Sequence, residues 1–294
     1  MNGHKEVMLY NDDCRNILRN MPDNSVDLIA TDPPYFIDGM DNKWSHKNLR
    51  RRESDKSSQT SSISGMPSSM KFDPNQGRKL QLFFNEVAPH LFRVLKPGGY
   101  IAAFAQPRLY HRLVVALEDA GFEIRDMLIW QHKGGQGKAF KFDRMVRTSK
   151  TIPDSKKESI IANMAGRKTP QLRPKFEPFV LGQKPREGTF VDNWTKWNTG
   201  LLQLEFDGRQ QSTVFQYDKP NLRKKYDHMT IKPQALLERI VEMCTLKGQV
   251  VLDPFMGSGT TGVAARIKDR MFIGIDVDNV SFLHAKERLE ENRL

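Results

Sequence analysis

The chain has 294 residues, of which 38% are hydrophobic, and it carries a formal net charge of +11. This length and composition suit a globular protein with a substantial core and exclude a disordered one. We expect no membrane helix, because no run of about 18 apolar residues is present, and no secretory signal at residues 1–11. The two cysteines, Cys14 and Cys244, are too few for a disulfide framework or a multi-cysteine zinc site, so we expect no metal and a cytoplasmic location.

The positive charge is concentrated in one segment. Residues 133–225 contain 20 Lys/Arg and 9 Asp/Glu and account for the entire net charge. A neutral scaffold with one basic segment is typical of an enzyme that binds a polyanion, because basic side chains belong where phosphate groups dock. The alternative is a solvated basic surface that only keeps the protein soluble.

The first part of the chain predicts a strand, a long loop and a helix. Residues 26–30 are an apolar run stopped by Thr31-Asp-Pro-Pro34, which indicates a buried strand. Residues 40–76 are polar and Ser-rich, as in a long flexible loop. Apolar residues at helical spacing from Leu80 to Leu95 predict a helix that Pro89 kinks or interrupts.

Strands and helices continue to alternate up to the basic segment. A turn at Lys96-Pro-Gly-Gly99 precedes a strand from Tyr100, and a helix over about 107–120 precedes a strand that ends at Trp130. Between 133 and 225 the periodicity fades and Gly, Pro, Lys and Trp dominate. We interpret this segment as a separate irregular lobe.

After the lobe the alternation resumes. The predicted elements are a helix from Pro233 to about 246, a strand over 249–253, a helix to about 267, a strand over 271–276 and a terminal helix. Strands that alternate with helices on both sides of the lobe predict an α/β fold with one mostly parallel, doubly wound sheet.

A glycine-rich turn follows the strand that ends at Asp253. Gly257, Gly259 and Gly262 lead into a helix, where glycines let the backbone approach a ligand and the helix offers free N–H groups. The three glycines match the pattern G-x-G-x-x-G, and Asp276 ends the next strand, where an acid would hold a ribose diol. A nicotinamide-dependent dehydrogenase is one interpretation, and a tight turn without a ligand is another.

A second constellation is Asp32-Pro-Pro-Tyr35. The two prolines fix the backbone, so that a carboxylate and a carbonyl lie side by side as acceptors for the two N–H bonds of an amino group. The ring of Tyr35 can stack on a planar base. The alternative is a simple proline turn.

The pairing of Asp32-Pro-Pro-Tyr35 with Asp253-Pro-Phe-Met-Gly-Ser-Gly-Thr-Thr261 resembles the amino-methyltransferases of bacterial DNA. Because the tetrapeptide precedes the basic lobe and the lobe precedes the glycine loop, the order resembles the beta-class, circularly permuted subgroup. Asp rather than Ser before Pro-Pro-Tyr resembles its adenine-N6 members.

The resemblance implies a Rossmann-like methyltransferase fold, with a seven-stranded sheet that has one antiparallel strand. It also implies S-adenosylmethionine as cofactor and direct methyl displacement by N6 of an adenine flipped out of double-stranded DNA. N4 of cytosine stays open within this class. A dehydrogenase and a non-catalytic DNA-binding module stay open outside it. A homodimer and a cognate restriction endonuclease are open as assemblies, and no membrane partner is expected.

The resemblance also assigns the parts of the chain. Residues 1–132 would be the catalytic half of the core, 133–225 the target-recognition lobe and 226–294 the cofactor-binding half. The expected catalytic residues are Asp32, Pro33, Pro34 and Tyr35. The expected DNA contacts are Arg50, Arg51 and Arg52. The expected cofactor contacts are Asp13, Cys14, Asp32, His228, Lys232, Asp253, Pro254, Phe255, Gly257, Ser258, Gly259, Thr260, Asp276 and Val277.

Two further elements support this assignment. Asn11-Asp-Asp-Cys14 resembles the Gly-Asp-Cys element of the family with Asp12 in place of Gly, which would bring Asp13 to the cofactor adenine. His228-Met-Thr-Ile-Lys-Pro233 resembles the segment that closes over the methionine end of the cofactor. Asp32 and Gly257 are therefore expected to face one another across a single cleft.

Overall fold

The computed structural model describes residues 6–34, 75–134, 142–169, 172–219 and 231–291. Within these ranges every helix is too short or too polar to span a lipid bilayer. The predicted site residues that lie outside them are Tyr35, Arg50, Arg51, Arg52 and His228, together with most of the predicted loop 40–76.

Strands and helices alternate along much of the described chain. The strands are β1 (Val7–Tyr10), β2 (Val26–Thr31), β3 (Leu95–Phe104), β4 (Glu123–Gln131), β5 (Phe176–Gln183), β6 (Glu205–Phe206), β7 (Arg209–Gln210), β8 (Val214–Gln216), β9 (Val250–Asp253) and β10 (Met271–Ile275). The helices are α1 (Cys14–Asn20), α2 (Gln76–Val94), α3 (Tyr110–Asp119), α4 (Asp143–Thr148), α5 (Asp154–Asn163), α6 (Phe190–Trp197), α7 (Gln234–Cys244), α8 (Thr260–Ile267) and α9 (Asn279–Glu291). Helix α2 continues through Pro89, so the predicted interruption does not occur.

The central sheet has eight strands in the described residues, in the order β1-β10-β9-β2-β3-β5-β4-β8. Neighbouring strands are parallel except for β5, which runs antiparallel to both β3 and β4. The predicted α/β fold with a mostly parallel sheet is confirmed. The sheet has one strand more than the seven expected, namely the three-residue edge strand β8, which pairs with β4.

Two strands of this sheet come from the segment 133–225, which the sequence assigned to a separate irregular lobe. Strand β5 lies between β3 and β4, and residues Phe179–Leu181 are buried there. The sequence did not predict β5, because Pro178 and Gly182 lie inside it and both residue types usually interrupt strands. Part of the segment therefore belongs to the central sheet.

Helices cover both faces of the sheet. Along β2, Leu28 packs in the apolar cluster with α7, α8 and α9, and the next residue, Ile29, packs in the cluster with α1, α2 and α3. Both residues are fully buried. Successive side chains of a strand point to opposite faces, so a buried run with no polar alternation marks a strand covered on both sides.

The predicted turn Lys96-Pro-Gly-Gly99 is a bulge inside β3. Four residues of β3 lie between the partners of Val26 and Leu28, against one residue in β2. Gly98 has φ +78°, and the buried amide of Asn193 on α6 donates to the carbonyl oxygens of Pro97 (3.2 Å) and Thr199 (2.8 Å). The bulge thereby fixes α6 to the core.

Gly98→Ala should destabilise the protein for two reasons. A Cβ at Gly98 would lie 2.4 Å from Nδ2 of Asn193, which adds overpacking of about 1–3 kcal/mol to a left-handed backbone cost of roughly 1–2 kcal/mol. Gly208→Ala is the matched control, since Gly208 has φ +71° with nothing within 4 Å of its Cβ position. Urea unfolding should show the larger loss for Gly98→Ala, and equal losses would contradict this account.

Candidate active site

The predicted catalytic turn and the glycine loop lie at the same edge of the sheet. Strands β2 and β9 are parallel neighbours, with Leu28 opposite Val251 and Ile29 opposite Leu252. Their carboxyl ends therefore lead directly into Asp32 and into the loop that contains Gly257. In open α/β sheets, ligands bind in the crevice beyond the carboxyl ends of the strands.

The buried carboxylate of Asp253 joins these two turns. It accepts hydrogen bonds from Thr31 Oγ1 at the end of β2 and from Thr261 Oγ1 in the first turn of α8, both at 2.7 Å. The backbone N–H of Phe255 donates to it at 3.1 Å. Burial raises the pKa of Asp253 to about 7. The carboxylate thus lies inside the protein and acts as a structural bridge.

The glycine loop has the backbone that its sequence requires. Gly257 and Gly259 have φ +49° and +73°, and Gly259 is the residue before the first turn of α8. A Cβ at Gly259 would lie 2.9 Å from Cβ of Ala285, and one at Gly262 would lie 2.5 Å from the Phe272 ring. At least the second and third glycines are therefore needed for packing inside the protein.

Arg288 of α9 forms hydrogen bonds with Ser258 and Thr260. The guanidinium of Arg288 donates to the Ser258 carbonyl at 2.7 Å and to the hydroxyls of Ser258 and Thr260 at 3.1 Å. Arg288 is buried, with 5% of its surface exposed. No sequence motif pointed to this residue, because its partners lie about thirty positions earlier in the chain.

Asp276 lies directly after β10 and borders the same loop. Its two carboxylate oxygens accept from the backbone N–H of Gly257 and of Asp278, both at 2.8 Å. Burial raises the pKa of Asp276 to about 6. The side-chain amide of Asn11 donates to the Asp276 carbonyl at 2.8 Å, and the neighbouring Val277 is exposed. The element at residues 11–14 therefore reaches the end of β10.

Asp13 and Cys14 are placed differently from one another. Asp13 is the N-cap of α1, and its carboxylate binds the Arg15 guanidinium at 2.7 Å, which lowers the pKa of Asp13. Arg15 also contacts Glu86 of α2 at 2.6 Å. Cys14 is buried in the core, and burial raises the pKa of its thiol to about 12, so it offers no thiolate nucleophile.

Asp32 forms an ion pair with Lys232, the residue before Pro233 at the start of α7. The Lys232 ammonium also lies 3.2 Å from a carboxylate oxygen of Glu177 on β5 and 5.1 Å from the centre of the Phe104 ring. The sequence predicted Asp32 and Lys232 as site residues and missed Glu177.

Two apolar elements complete the edge. Pro33 and Pro34 line a small cleft together with Leu80, Phe104, Ala105, Gln106, Leu109 and Leu113. The ring of Phe255 packs against Phe83 and Phe84 of α2, with centroid distances of 5.8 and 6.2 Å. Pro254 is buried beside it.

Residues 26–287 match the family model described as DNA methylase, N6_N4_Mtase, and the chain belongs to this family. It is 30% identical to the type II methyltransferase M.HindIII of Haemophilus influenzae over 96% of this chain and 94% of that protein. It is 28% identical to the type II methyltransferase M2.DpnII of Streptococcus pneumoniae, over 98% and 91% of the two chains. The predicted class, a bacterial DNA methyltransferase, is confirmed. This assignment also argues against a dehydrogenase.

Solved structures share the fold. The crystal structure of the M1.HpyAVI-SAM complex matches with a TM-score of 0.58 at 22% identity, over 96% of this chain and 98% of that one. The PvuII DNA methyltransferase, described as cytosine-N4-specific, matches with a TM-score of 0.60 at 14% identity, over 98% and 88%.

Asp253→Asn should change how stability depends on pH. The folded-state pKa of about 7 lies above the ordinary value of 3.8, so folding takes up a proton between these values. The contribution of this carboxyl to stability is present at low pH and is lost as pH rises through about 7. The free energy of unfolding of the variant relative to wild type should therefore rise by roughly 1–4 kcal/mol between about pH 4.5 and pH 7.5.

Urea unfolding at both pH values measures this difference. The exposed Asp119 on α3 provides the control variant Asp119→Asn, which removes a carboxyl that folding leaves in contact with solvent. A constant difference for Asp253→Asn would contradict the assignment of a proton to this buried carboxyl.

Proposed function

We propose that this enzyme transfers a methyl group from S-adenosylmethionine to N6 of adenine in double-stranded DNA at a specific sequence. The observation that carries the proposal is the placement of Asp32, Pro33 and Pro34 beside the glycine loop at one edge of the sheet. An amino group and a methyl donor held at these two turns would lie in one cleft, which supplies orientation.

The residues of this edge fit the proposed cofactor. Asp276 follows β10, the position at which an acid would hold a ribose diol, and its carboxylate is fixed by the backbone N–H groups of Gly257 and Asp278. S-adenosylmethionine supplies an electrophilic methyl group on a sulfonium. We propose that Asp13, Cys14 and the segments 253–260 and 276–277 surround its adenosine part, and that His228 and Lys232 belong to the segment over its methionine part.

Asp32 and Pro33 would act on the amino group of the base. An aromatic amine is a poor nucleophile because its lone pair is delocalised into the ring. Hydrogen bonds from the amine to the Asp32 carboxylate and to the Pro33 carbonyl favour a pyramidal nitrogen and localise that lone pair. Acceptors placed where positive charge develops also stabilise the transition state. Tyr35 would stack on the flipped base.

Adenine is favoured over cytosine because Asp32, rather than Ser, before Pro-Pro-Tyr resembles the adenine-N6 members of the family. The same fold occurs in an enzyme described as cytosine-N4-specific, so the fold itself does not separate the two bases. Sequencing the methylation pattern of DNA from cells that express this chain, with mass spectrometry of the digested nucleosides, gives the base and its context. N4-methylcytosine as the product would overturn the adenine assignment.

The assembly of the enzyme is part of the proposal. The type II designation of its relatives supports a cognate restriction endonuclease, and we propose a cytoplasmic enzyme that acts as a homodimer. Light scattering of the purified chain measures the oligomeric state, and a monomer at assay concentration would contradict the dimer.

Asp32→Asn should abolish most methyl transfer but largely keep cofactor binding, because the amide can still form hydrogen bonds at the expected Asp32 contact. The amide keeps an acceptor for Lys232 but loses the negative charge beside the reacting amine, so we expect the single-turnover rate to fall by at least about 100-fold. Calorimetry should give a dissociation constant for S-adenosylmethionine close to that of wild type. Asp119→Asn is the control, and an Asp32→Asn enzyme with the wild-type rate would overturn the proposed role.

The basic segment should bind phosphate groups. Arg144, Lys150, Lys156 and Lys168 are exposed on or beside α4 and α5. Replacing Lys150, Lys156 and Lys168 together by Ala should weaken DNA binding. The slope of log affinity against log salt concentration should become shallower by roughly one for each phosphate that is no longer neutralised, about three at most. Fluorescence anisotropy over a salt series measures the slope. An unchanged slope would contradict phosphate binding by these residues.

A further inference from the structure

The ammonium group of Lys232 is shared between two carboxylates. It pairs with Asp32 and lies 3.2 Å from Glu177, and 5% of the Lys232 side chain is exposed. The ring of Phe104, 5.1 Å from the ammonium nitrogen, covers another side of the cation. A buried cation therefore lies beside the Asp32 carboxylate, which would have to stabilise the positive charge that develops on the amine.

The topology of the sheet explains why a glutamate reaches this place. Strand β5 is antiparallel, so its amino end lies at the edge where the neighbouring parallel strands end. Glu177 is the second residue of β5 and pairs with Trp130 near the end of β4. On the other side, Pro233 restricts the backbone of Lys232. Both partners are thus held on rigid elements.

Lys232 and Glu177 both carry their charges. Burial opposes the charged form of Lys232, but Asp32 and Glu177 outweigh it and raise the pKa of the ammonium. Burial also opposes ionisation of Glu177, yet Lys232 keeps the pKa of that carboxyl below its ordinary value. Lys219, half exposed and 3.9 Å from the other oxygen of Glu177, is more screened by solvent.

The net charge of the cluster formed by Asp32, Glu177 and Lys232 determines how strongly it attracts a positive charge. Asp32 with Lys232 alone would be a neutral pair, which has little attraction for the positive charge that develops on the amine. Glu177 adds a second carboxylate, so Asp32, Glu177 and Lys232 together have one net negative charge, with the more exposed Lys219 outside this count, and it competes with Asp32 for the ammonium. The Asp32 carboxylate then remains an effective acceptor.

We propose that Glu177 is a positioning residue for methyl transfer: it binds the ammonium of Lys232 and so keeps the carboxylate of Asp32 directed at the amine. The inference rests on the proposed function. It predicts a larger effect on the chemical step than on cofactor binding, because Lys232 keeps Asp32 as a partner and strands β2 and β3 separate Glu177 from the glycine loop after β9.

The test compares Glu177→Gln with Glu177→Asp. With saturating S-adenosylmethionine and a duplex that carries the recognition sequence, Glu177→Gln should lower the single-turnover rate about 10- to 100-fold. Its dissociation constant for S-adenosylmethionine should stay within about threefold of wild type, a change under 1 kcal/mol. Glu177→Asp keeps the charge and should recover most of the rate. Glu187→Gln is the matched control, since Glu187 binds Lys196 at 2.7 Å on the exposed surface.

Three results would overturn the inference. They are a wild-type rate for Glu177→Gln, a loss of cofactor affinity as large as the loss of rate, and a Glu177→Gln protein that does not fold, which would assign Glu177 to stability. Each requires that the wild-type enzyme methylates DNA. A wild-type enzyme that transfers no methyl group would instead refute the proposed function, so the two failures are distinguishable.

Discussion

The site depends on the hydrogen bonds that the Asp253 carboxylate accepts from two different parts of the chain. Thr31 and Asp253 are 222 positions apart in sequence, and their hydrogen bond joins the end of β2 to the end of β9, while Thr261 joins the same carboxylate to α8. A buried polar group must be satisfied by specific partners. This requirement fixes the relative position of the two turns more strictly than apolar packing alone, since apolar contacts are not directional.

The sequence predicted the elements on either side of this bridge well. The strands over 26–30, 249–253 and 271–276 were found within one or two residues, because each is a short, mostly apolar run that leads into an aspartate. Gly121, which has φ +104°, likewise marks the end of the helix predicted over about 107–120. Local signals of this kind require no knowledge of distant residues. The expectation that Asp32 and Gly257 share one cleft came instead from the resemblance to the methyltransferase family.

The parts that the sequence missed are defined by distant contacts. Strand β5 carries Pro178 and Gly182, which oppose a strand locally, and only its two neighbours in the sheet make it one. Glu177 and Arg288 have no motif of their own, and their roles follow from where β5 and α9 pack. The sequence missed β5 because it contains strand-breaking residues. It missed Glu177 and Arg288 because no short-range pattern surrounds them.

The segment 133–225 combines two opposite electrostatic features. Its excess of basic residues suits a phosphate backbone, while its strand β5 places a carboxylate at the reacting edge. These features are compatible because they act over different distances. Exposed charges are screened over about 8–10 Å in physiological salt, whereas Glu177 acts on a buried ammonium at 3.2 Å, where screening is weak. Under the proposed function, the antiparallel strand would allow one segment to bind DNA outside the core and also to reach the cleft inside it.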